Sequence, residues 1–342
     1  MTLITAHKQR PIGSGFTPSS TAADVMAGID LTGKNVIVTG GHSGLGLVAT
    51  RALSGAGASV TVGARDTDRA AQAVAGLAGV EVRRLDLLDP ESIDAFVAGY
   101  LESGRPLHIL VNNAGFPGSA ALVHDARGYE AQFAVNHLGH FQLTLGLHTA
   151  LRAAGGARVV NTSSGAQRMS DILWDDPHFT TGRHDSGLAY PQSKTANVLF
   201  TVELDRRWAA DGIRAYAPHP GIVPATAFNK SVGEDAQRAM GLIDASGEPV
   251  IAPERGQKTP EQGAATILFA ATSPRLDGIG GVYLNNSDVS PLDEDTRPID
   301  LTAPDAGTVP ADVAPHSIDP GSARRLWELS ERLIARPSGG TV

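Results

Sequence analysis

The chain has 342 residues, 42% of them hydrophobic, and sets 28 Lys and Arg against 36 Asp and Glu for a net charge of −8. An acidic chain without a basic cluster matches neither nucleic acid nor an anionic membrane surface. The lack of any cysteine removes disulfides, Cys-ligated metals and thiol catalysis. No window approaches the roughly 18 apolar residues of a membrane helix, and residues 1–16 carry no apolar run of the secretory kind, so a cytoplasmic location is expected.

Residues 1–30 read as an arm. Within it Thr21 and Asp24 have capping-box spacing, with Asp in place of Glu, and predict a short helix ending near Gly28. From Lys34 onward, short β-branched runs alternate with longer Ala/Leu-rich stretches. The runs are Val36–Thr39, Ser59–Val62, Val80–Val82, Leu107–Val111, Arg158–Val160 and Ile213–Tyr216, with Gly281–Leu284 as a seventh. The stretches between them have helical spacing, as in Leu188–Trp208. Such alternation predicts a single α/β Rossmann-type domain over residues 31–290, doubly wound around a mostly seven-stranded parallel sheet. Two segments interrupt it: residues 165–189, a polar loop, and residues 222–259, in which Gln237–Ile243 has the spacing of a short helix. Residues 291–342 form a C-terminal extension, Pro- and Asp-rich through Pro315. A terminal helix follows, with Asp319 as N-cap, Pro320 in first position and Leu326, Leu329, Leu333 and Ile334 on one face.

The first strand runs into Thr39-Gly-Gly-His-Ser-Gly-Leu-Gly46. Glycines allow a tight turn there and let backbone N–H groups approach a pyrophosphate, helped by the next helix's N-terminus. Gly40, His42, Ser43, Gly44, Leu45 and Gly46 are therefore candidate cofactor contacts. An acidic residue closing the second strand would hold the ribose 2′-hydroxyl of NAD. Here Gly63-Ala64-Arg65 closes it, and Arg65 can fork onto a 2′-phosphate, which favours NADP(H) over NAD(H). The alternative for Arg65 is an exposed ion pair with Asp66 or Asp68. Asp86, with Leu87 beside it, follows the third strand and can accept from an adenine amino group or cap a helix. Asn113, Ala114 and Gly115 close the fourth strand with small residues that bring backbone near the adenosine ribose.

Tyr190 and Lys194 stand at i and i+4, on one face of a helix. A free phenol titrates near 10, and a neighbouring ammonium favours its phenolate. A drop of about two units corresponds to roughly 2.7 kcal/mol. Tyr190 would then act as general acid for reduction and general base for oxidation. A packing or cation–π pair is the plainer alternative. Ser164 ends the fifth strand, where the carboxyl edge of an open sheet lines the ligand crevice. Alternation lets only one of Ser163 and Ser164 face that crevice, and Ser164 is chosen to bond the substrate oxygen. Asn136 stands in a helical pattern that it suits poorly, which signals a role or a distortion. His137 and His140 have a spacing that fits a metal but no ordered third ligand, so packing is the expected role and no metal is assigned. His219 is expected to shape the turn at Pro220-Gly221.

Together Thr39-Gly-x3-Gly-x-Gly46, Asn112-Asn-Ala-Gly115, Asn136, Ser164, Tyr190-x3-Lys194 and Pro220-Gly221 resemble, in order and spacing, the short-chain dehydrogenase/reductase family over about residues 31–285. Val135–Phe141 and Ala189–Phe200 are similar to its retinol-dehydrogenase-like branch. The resemblance implies that Asn136 supports a water-mediated proton relay through Lys194. It also implies that Lys194 holds the nicotinamide ribose, that Pro220, Gly221 and Val223 lie along the nicotinamide, and that the family forms homodimers or tetramers through helices like 188–210, one such face being open to blockage by the tail. The family's carboxamide-binding Thr is replaced by Ala225, with Thr226 one residue later. Either Thr226 or backbone near Val223 serves.

The expected activity is NADP(H)-dependent interconversion of an alcohol and a carbonyl, as a carbonyl reductase acting on a small molecule. Pro224, Phe228, Met240 and Leu242 suggest an apolar lid and hence a medium-sized lipophilic substrate. The competing readings are a non-catalytic NADP-binding protein and an epimerase or dehydratase that retains its nicotinamide cofactor.

Overall fold

The computed structural model describes residues 8–118, 121–125, 127–181, 185–224, 226, 233–293, 295 and 311–335. Seven strands, β1 (Asn35–Thr39), β2 (Ser59–Ala64), β3 (Val80–Arg84), β4 (Ile109–Asn112), β5 (Ala157–Asn161), β6 (Ile213–His219) and β7 (Val282–Asn285), pair in parallel in the order 3-2-1-4-5-6-7. Val36, Ile37 and Val38 of β1 are all essentially inaccessible, as a parallel strand covered on both faces requires. This is a Rossmann-type α/β fold. An eighth, two-residue strand, β8 (Asp288–Val289), pairs antiparallel with β7. It is reached through Asn286 and Ser287, at φ +50° and +57°, left-handed residues suited to a tight hairpin. Two residues carry no period, which is why the sequence pattern stops at seven strands.

The helices that position the site are α1 (Ala22–Met26), α2 (Gly44–Gly55), α3 (Thr67–Ala73), α4 (Pro90–Glu102), α5 (Gly139–Gly146), α6 (Ser186–Trp208), α7 (Pro260–Thr272) and α8 (Pro320–Ile334). Thr21 and Asp24 form the reciprocal capping box of α1. Residues 165–189 are less irregular than expected: Gly165–Met169 is a 3-10 turn. The helix expected at 237–243 runs instead from Glu234 to Ala239, because Gly241, at φ +65°, ends it from within the expected range.

At the end of the chain, Asp319 caps α8 by accepting from the Ser322 N–H at 2.7 Å. Its buried face is Ala323, Leu326, Trp327 and Ser330, whereas Leu329, Leu333 and Ile334 are only half-buried. The helix is thus rotated from the all-leucine face expected. The cause is Trp327, whose ring lies 5.0 Å from that of Phe141 and 5.9 Å from those of Phe200 and Trp208. An indole that finds three aromatic partners outweighs a leucine stripe. Helix α8 therefore lies along α6. At the other end, Gln9 of the arm donates to the Tyr283 and Ser290 carbonyls (2.7 Å each) and accepts from the Tyr283 N–H (3.0 Å). It thereby occupies backbone groups at the sheet's last strands.

Replacing Trp327 by Ala is expected to lower the unfolding free energy by about 3–5 kcal/mol. Urea unfolding at constant slope measures this, and a loss below about 1 kcal/mol would mean that α8 is not part of the core.

Candidate active site

The strand order reverses at β1 and β4, and a crevice opens there beyond the carboxyl ends of the strands. The turn after β1 is built for close approach. Gly40 has φ +65° and Gly44 φ +50°. A Cβ on Gly46 would lie 2.4 Å from the Gly40 carbonyl and 2.6 Å from Asn113 Nδ2, so no side chain fits. Ser43, the N-cap of α2, makes no side-chain cap bond, leaving the first-turn N–H groups of a twelve-residue helix for another acceptor. His42 Nδ1 is buried without a partner.

A cavity of about 1090 Å³ runs from this turn across the sheet edge. Gly40, His42, Ser43, Gly44, Leu45, Arg65, Asp86, Leu87, Asn113, Ala114, Gly115, Pro220, Gly221, Val223 and Thr226 all line it, with Ser164, Tyr190 and Lys194. Gly46 packs behind the turn. Arg65 makes no ion pair with Asp66 or Asp68 among the described residues. Asp66 instead caps α3, accepting from the Arg69 N–H at 3.0 Å. Asp86 is not a helix cap: its carboxylate accepts from the Leu88 N–H at 3.1 Å, and Asp89 caps α4. The N–H groups of Asn113 and Ala114 both donate to Thr39 Oγ1, at 2.9 Å each, which locks the turn after β4 onto the end of β1.

Tyr190 and Lys194 share a face of α6, and Lys194 Nζ lies 5.5 Å from the centre of the phenol ring. Burial pushes the Tyr190 phenol up to about 12, opposed by its hydrogen bond with the Ser164 hydroxyl, and lowers Lys194 to about 8. The expected depression of the phenol is therefore absent in the chain by itself. The ammonium donates to the Thr162 carbonyl at 3.1 Å instead of to the phenol, so desolvation wins. Both serines line the cavity, not one as alternation suggests, but the buried Ser163 donates its hydroxyl to the Lys194 carbonyl at 2.9 Å, whereas Ser164 is half-buried beside Tyr190.

Asn136 lies in a π-turn, Ala134–Leu138, ahead of α5, the distortion that its presence in a helical pattern suggests. Its Oδ1 accepts from the Phe116 N–H (2.8 Å) and its Nδ2 donates to Ser193 Oγ (3.0 Å). Ser193 Oγ donates in turn to the Tyr190 carbonyl at 2.7 Å. Asn136 makes no direct bond to Lys194 among the described residues. It ties the cavity wall at Phe116 to the turn of α6 that carries Tyr190.

Gly221 has φ +80°, and a Cβ there would lie 2.8 Å from the Gly256 carbonyl and 2.9 Å from Lys258 Cδ. The Thr226 hydroxyl donates to the Val223 carbonyl at 2.9 Å; Ala225 lies outside the described residues. His219 does not shape its own turn as expected. Its Nδ1 accepts from the Gly165 N–H at 3.0 Å, one residue past Ser164. His137 pairs with Ser330 Oγ at 2.7 Å and His140 with Thr39 Oγ1 at 2.8 Å, so the two imidazoles serve different partners.

Residues 34–237 match the family model described as short chain dehydrogenase. The chain belongs to that family. A "Probable oxidoreductase" of Streptomyces lividans is 43% identical to this short-chain dehydrogenase over 305 residues, spanning 88% of this chain and 97% of its own. A crystal structure from Mycobacterium paratuberculosis is 32% identical with a TM-score of 0.67, over 92% of this chain and 97% of that one. The RhlG/NADP active-site complex of Pseudomonas aeruginosa is 25% identical with a TM-score of 0.58, over 75% and 95%. The chain is thus an oxidoreductase of a family that binds a nicotinamide cofactor. The glycine cradle, the helix without a side-chain cap bond and the Arg65 guanidinium, which has no ion pair among the described residues, fit such a group. Among the described residues no helix is long and apolar enough to cross a membrane.

Several cavity residues escape the sequence motifs. Arg69 joins Arg65 from one helical turn on, a spacing visible in the sequence. Lys258, Met169, Ala311 and Asp312 arrive from distant segments and carry no local signal.

Four buried imidazoles set an acid limit on stability. Burial lowers His137 and His219 to about 3 and His140 and His178 to about 4, against an ordinary 6.5. Below pH 6.5 the unfolded chain takes up protons that the folded chain refuses, so stability falls as pH drops from 6.5 towards 4. Each group can contribute up to about 1.4 kcal/mol per pH unit in that window. Urea unfolding from pH 7 to 4.5 is expected to show the decline, and His137→Leu to make it shallower. A pH-independent midpoint would contradict the neutral imidazoles.

Proposed function

We propose that this oxidoreductase is an NADP(H)-dependent carbonyl reductase for a medium-sized lipophilic ketone or aldehyde. The observation that carries the cofactor choice is the pair Arg65 and Arg69. Both are exposed in the cavity wall where the second strand ends, and neither has an acidic partner among the described residues. The adjacent carboxylate in sequence, Asp66, accepts from the Arg69 N–H. Two free guanidiniums at that place suit a 2′-phosphate better than a ribose hydroxyl. A similar chain, RhlG, is described as an NADP complex.

Bound NADPH supplies the hydride. Ser164 and Tyr190, hydrogen-bonded to each other, offer two hydroxyls to one carbonyl oxygen. A phenol held at about 12 is fully protonated at neutral pH, the form that reduction needs. As the new alkoxide takes the phenolic proton, Lys194, which burial lowers to about 8, stabilises the phenolate left behind and titrates close enough to neutral pH to exchange a proton. Asn136 acts through Ser193 and the Tyr190 carbonyl to keep that turn of α6 in register. Phe116, Pro117, Met169, Ile222, Met240 and Pro253 give the substrate end an apolar wall. Of the four residues that the sequence suggests, Met240 lines the cavity, Pro224 and Leu242 are buried outside that lining, and Phe228 lies outside the described residues.

Tyr190→Phe is expected to bind NADPH as the native chain does while turnover on a ketone and aldehyde panel falls about 100-fold or more. Unchanged turnover would favour a differently catalysed chain, NADPH binding with no turnover by either chain a non-catalytic one, and turnover without net NADPH consumption the cofactor-retaining alternative. A second prediction concerns the 2′-phosphate. Arg65→Ala with Arg69→Ala is expected to raise the NADPH dissociation constant about 10- to 100-fold, two charge-assisted contacts being lost, and to leave NADH nearly unchanged. Equal losses for both cofactors in a fluorescence titration would refute the NADP assignment.

A further inference from the structure

We propose that His140 is a positioning residue that couples the cofactor cradle to the π-turn carrying Asn136, by handing a fixed hydrogen-bond direction from Thr39 to the Asn136 carbonyl. The inference rests on the oxidoreductase reading above and concerns a side chain to which the proposed reaction assigns no role.

Donor and acceptor accounting fixes the direction. Thr39 Oγ1 has two lone pairs and one proton. Both lone pairs are used, by the Asn113 and Ala114 N–H groups at 2.9 Å each. The hydroxyl proton therefore points outward, where His140 Nε2 stands at 2.8 Å and the Val111 carbonyl at a long 3.4 Å. Nε2 must then accept, which leaves the ring proton on Nδ1. That nitrogen lies 3.1 Å from the Asn136 carbonyl oxygen, which can only accept. The chain of donors runs one way, from Thr39 Oγ–H to Nε2 and from Nδ1–H to Asn136 O. A charged imidazolium would have no acceptor for its Nε2 proton except an oxygen whose two lone pairs are already taken. The ring is 2% exposed, and burial together with the nearby Lys194 cation lowers it to about 4, so it stays neutral at working pH. Its own carbonyl accepts from Thr144 Oγ1 at 2.7 Å, which holds the turn from the other side.

This arrangement gives His140 two separable effects. Its acceptor nitrogen orients Thr39, which holds the Asn113-Ala114 backbone against the cofactor turn. Its donor nitrogen holds the turn of Asn136, whose side chain braces α6 under Tyr190. A histidine that merely filled space would have neither effect separately.

The test compares His140→Phe and His140→Asn in the full chain, with melting temperature and circular dichroism as folding controls. NADPH affinity is measured by fluorescence and turnover on the best substrate of the panel. The phenylalanine variant removes both bonds and is expected to lose about tenfold in each quantity, the scale of one buried hydrogen bond. The asparagine variant keeps a donor near the Nδ1 position and loses the Thr39 partner. It is expected to recover kcat to within about threefold of native while NADPH affinity stays about tenfold weak. A native-like phenylalanine variant overturns the proposal, as does an asparagine variant in which affinity and kcat return or fall together. If the phenylalanine variant does not fold, the asparagine variant decides alone, and native NADPH affinity in it overturns the proposal. Tyr190→Phe serves as reference: full turnover there would sink the proton-donor role proposed for Tyr190, while the NADPH arm of the His140 comparison would still stand as its own test.

Discussion

An ammonium buried, among the described residues, without a carboxylate governs this site. Lys194 is 4% exposed, and its ammonium donates to the Thr162 carbonyl, which also accepts from Asn197 Nδ2 at 3.0 Å. Removing a cation from water without a counter-charge costs several kcal/mol, so the group binds its proton less tightly and the surrounding structure must hold it by force of packing. That holding is visible along α6. The Lys194 carbonyl accepts from Ser163 at 2.9 Å, and the Thr195 hydroxyl lies within bonding distance of the Gln167 and Ser170 carbonyls, at 2.9 and 2.7 Å. A poorly solvated cation beside a phenol is stabilised by whatever negative charge enters the cavity. A nicotinamide dinucleotide, which is anionic and rich in hydroxyls, would relieve this strain, and so would the phenolate that forms when Tyr190 gives up its proton.

The same constraint explains why Tyr190 is high, not low, in the chain alone. Helical spacing shows that a lysine stands one turn from the tyrosine, but not which atom its ammonium will choose. Here the choice is a carbonyl at the end of β5, and the phenol is left with the Ser164 hydroxyl as its relief. Ser164, Tyr190, Asn136 and the glycine turn were legible because each sits at a place that periodicity can find: the end of a strand, one face of a helix, a helical position unsuited to Asn. The seven parallel strands were legible for the same reason, being buried runs with a distinct composition. The two-residue β8, the rotated face of α8 and the true helix at Glu234–Ala239 were not. In each of these the outcome depends on one residue meeting something remote or conformationally special: left-handed Asn286 and Ser287, Trp327 among three aromatic rings, Gly241 ending a helix early.

Partners far apart in sequence account for the rest. His140 and Thr39 are separated by 101 positions, and neither residue suggests the other until β1 and the π-turn lie side by side. The imidazole pair at 137 and 140 has a metal-like spacing, yet the two rings diverge to Ser330 and Thr39 because a helix places i and i+3 on neighbouring but not identical directions. One ring then braces α8 and the other braces the cofactor turn.

A division of labour between the two ends of the cavity follows from where their residues originate. The cofactor end is built from β1 to β4 and the turns that directly follow those strands, so its chemistry is local and its motifs are compact. The substrate end draws on the C-terminal extension, and Gln167 is the joint. It lies three residues past Ser164 in the 3-10 turn. Its amide donates to the Asp312 carbonyl at 2.9 Å and accepts from the Ser317 hydroxyl at 2.7 Å and the Ala314 N–H at 3.2 Å. Its backbone carbonyl faces His316 Nε2 at 2.8 Å. A buried side-chain amide with all these bonds satisfied cannot shift without leaving several groups unpaired. The extension therefore holds the turn after Ser164 in place and carries Ala311 and Asp312 to the cavity wall. From the other side the neutral His219 accepts from the Gly165 N–H, clamping the same turn between β6 and the tail. The placement of the Ser164 hydroxyl thus depends on one rigid corner, which joins the C-terminal extension to the cavity wall.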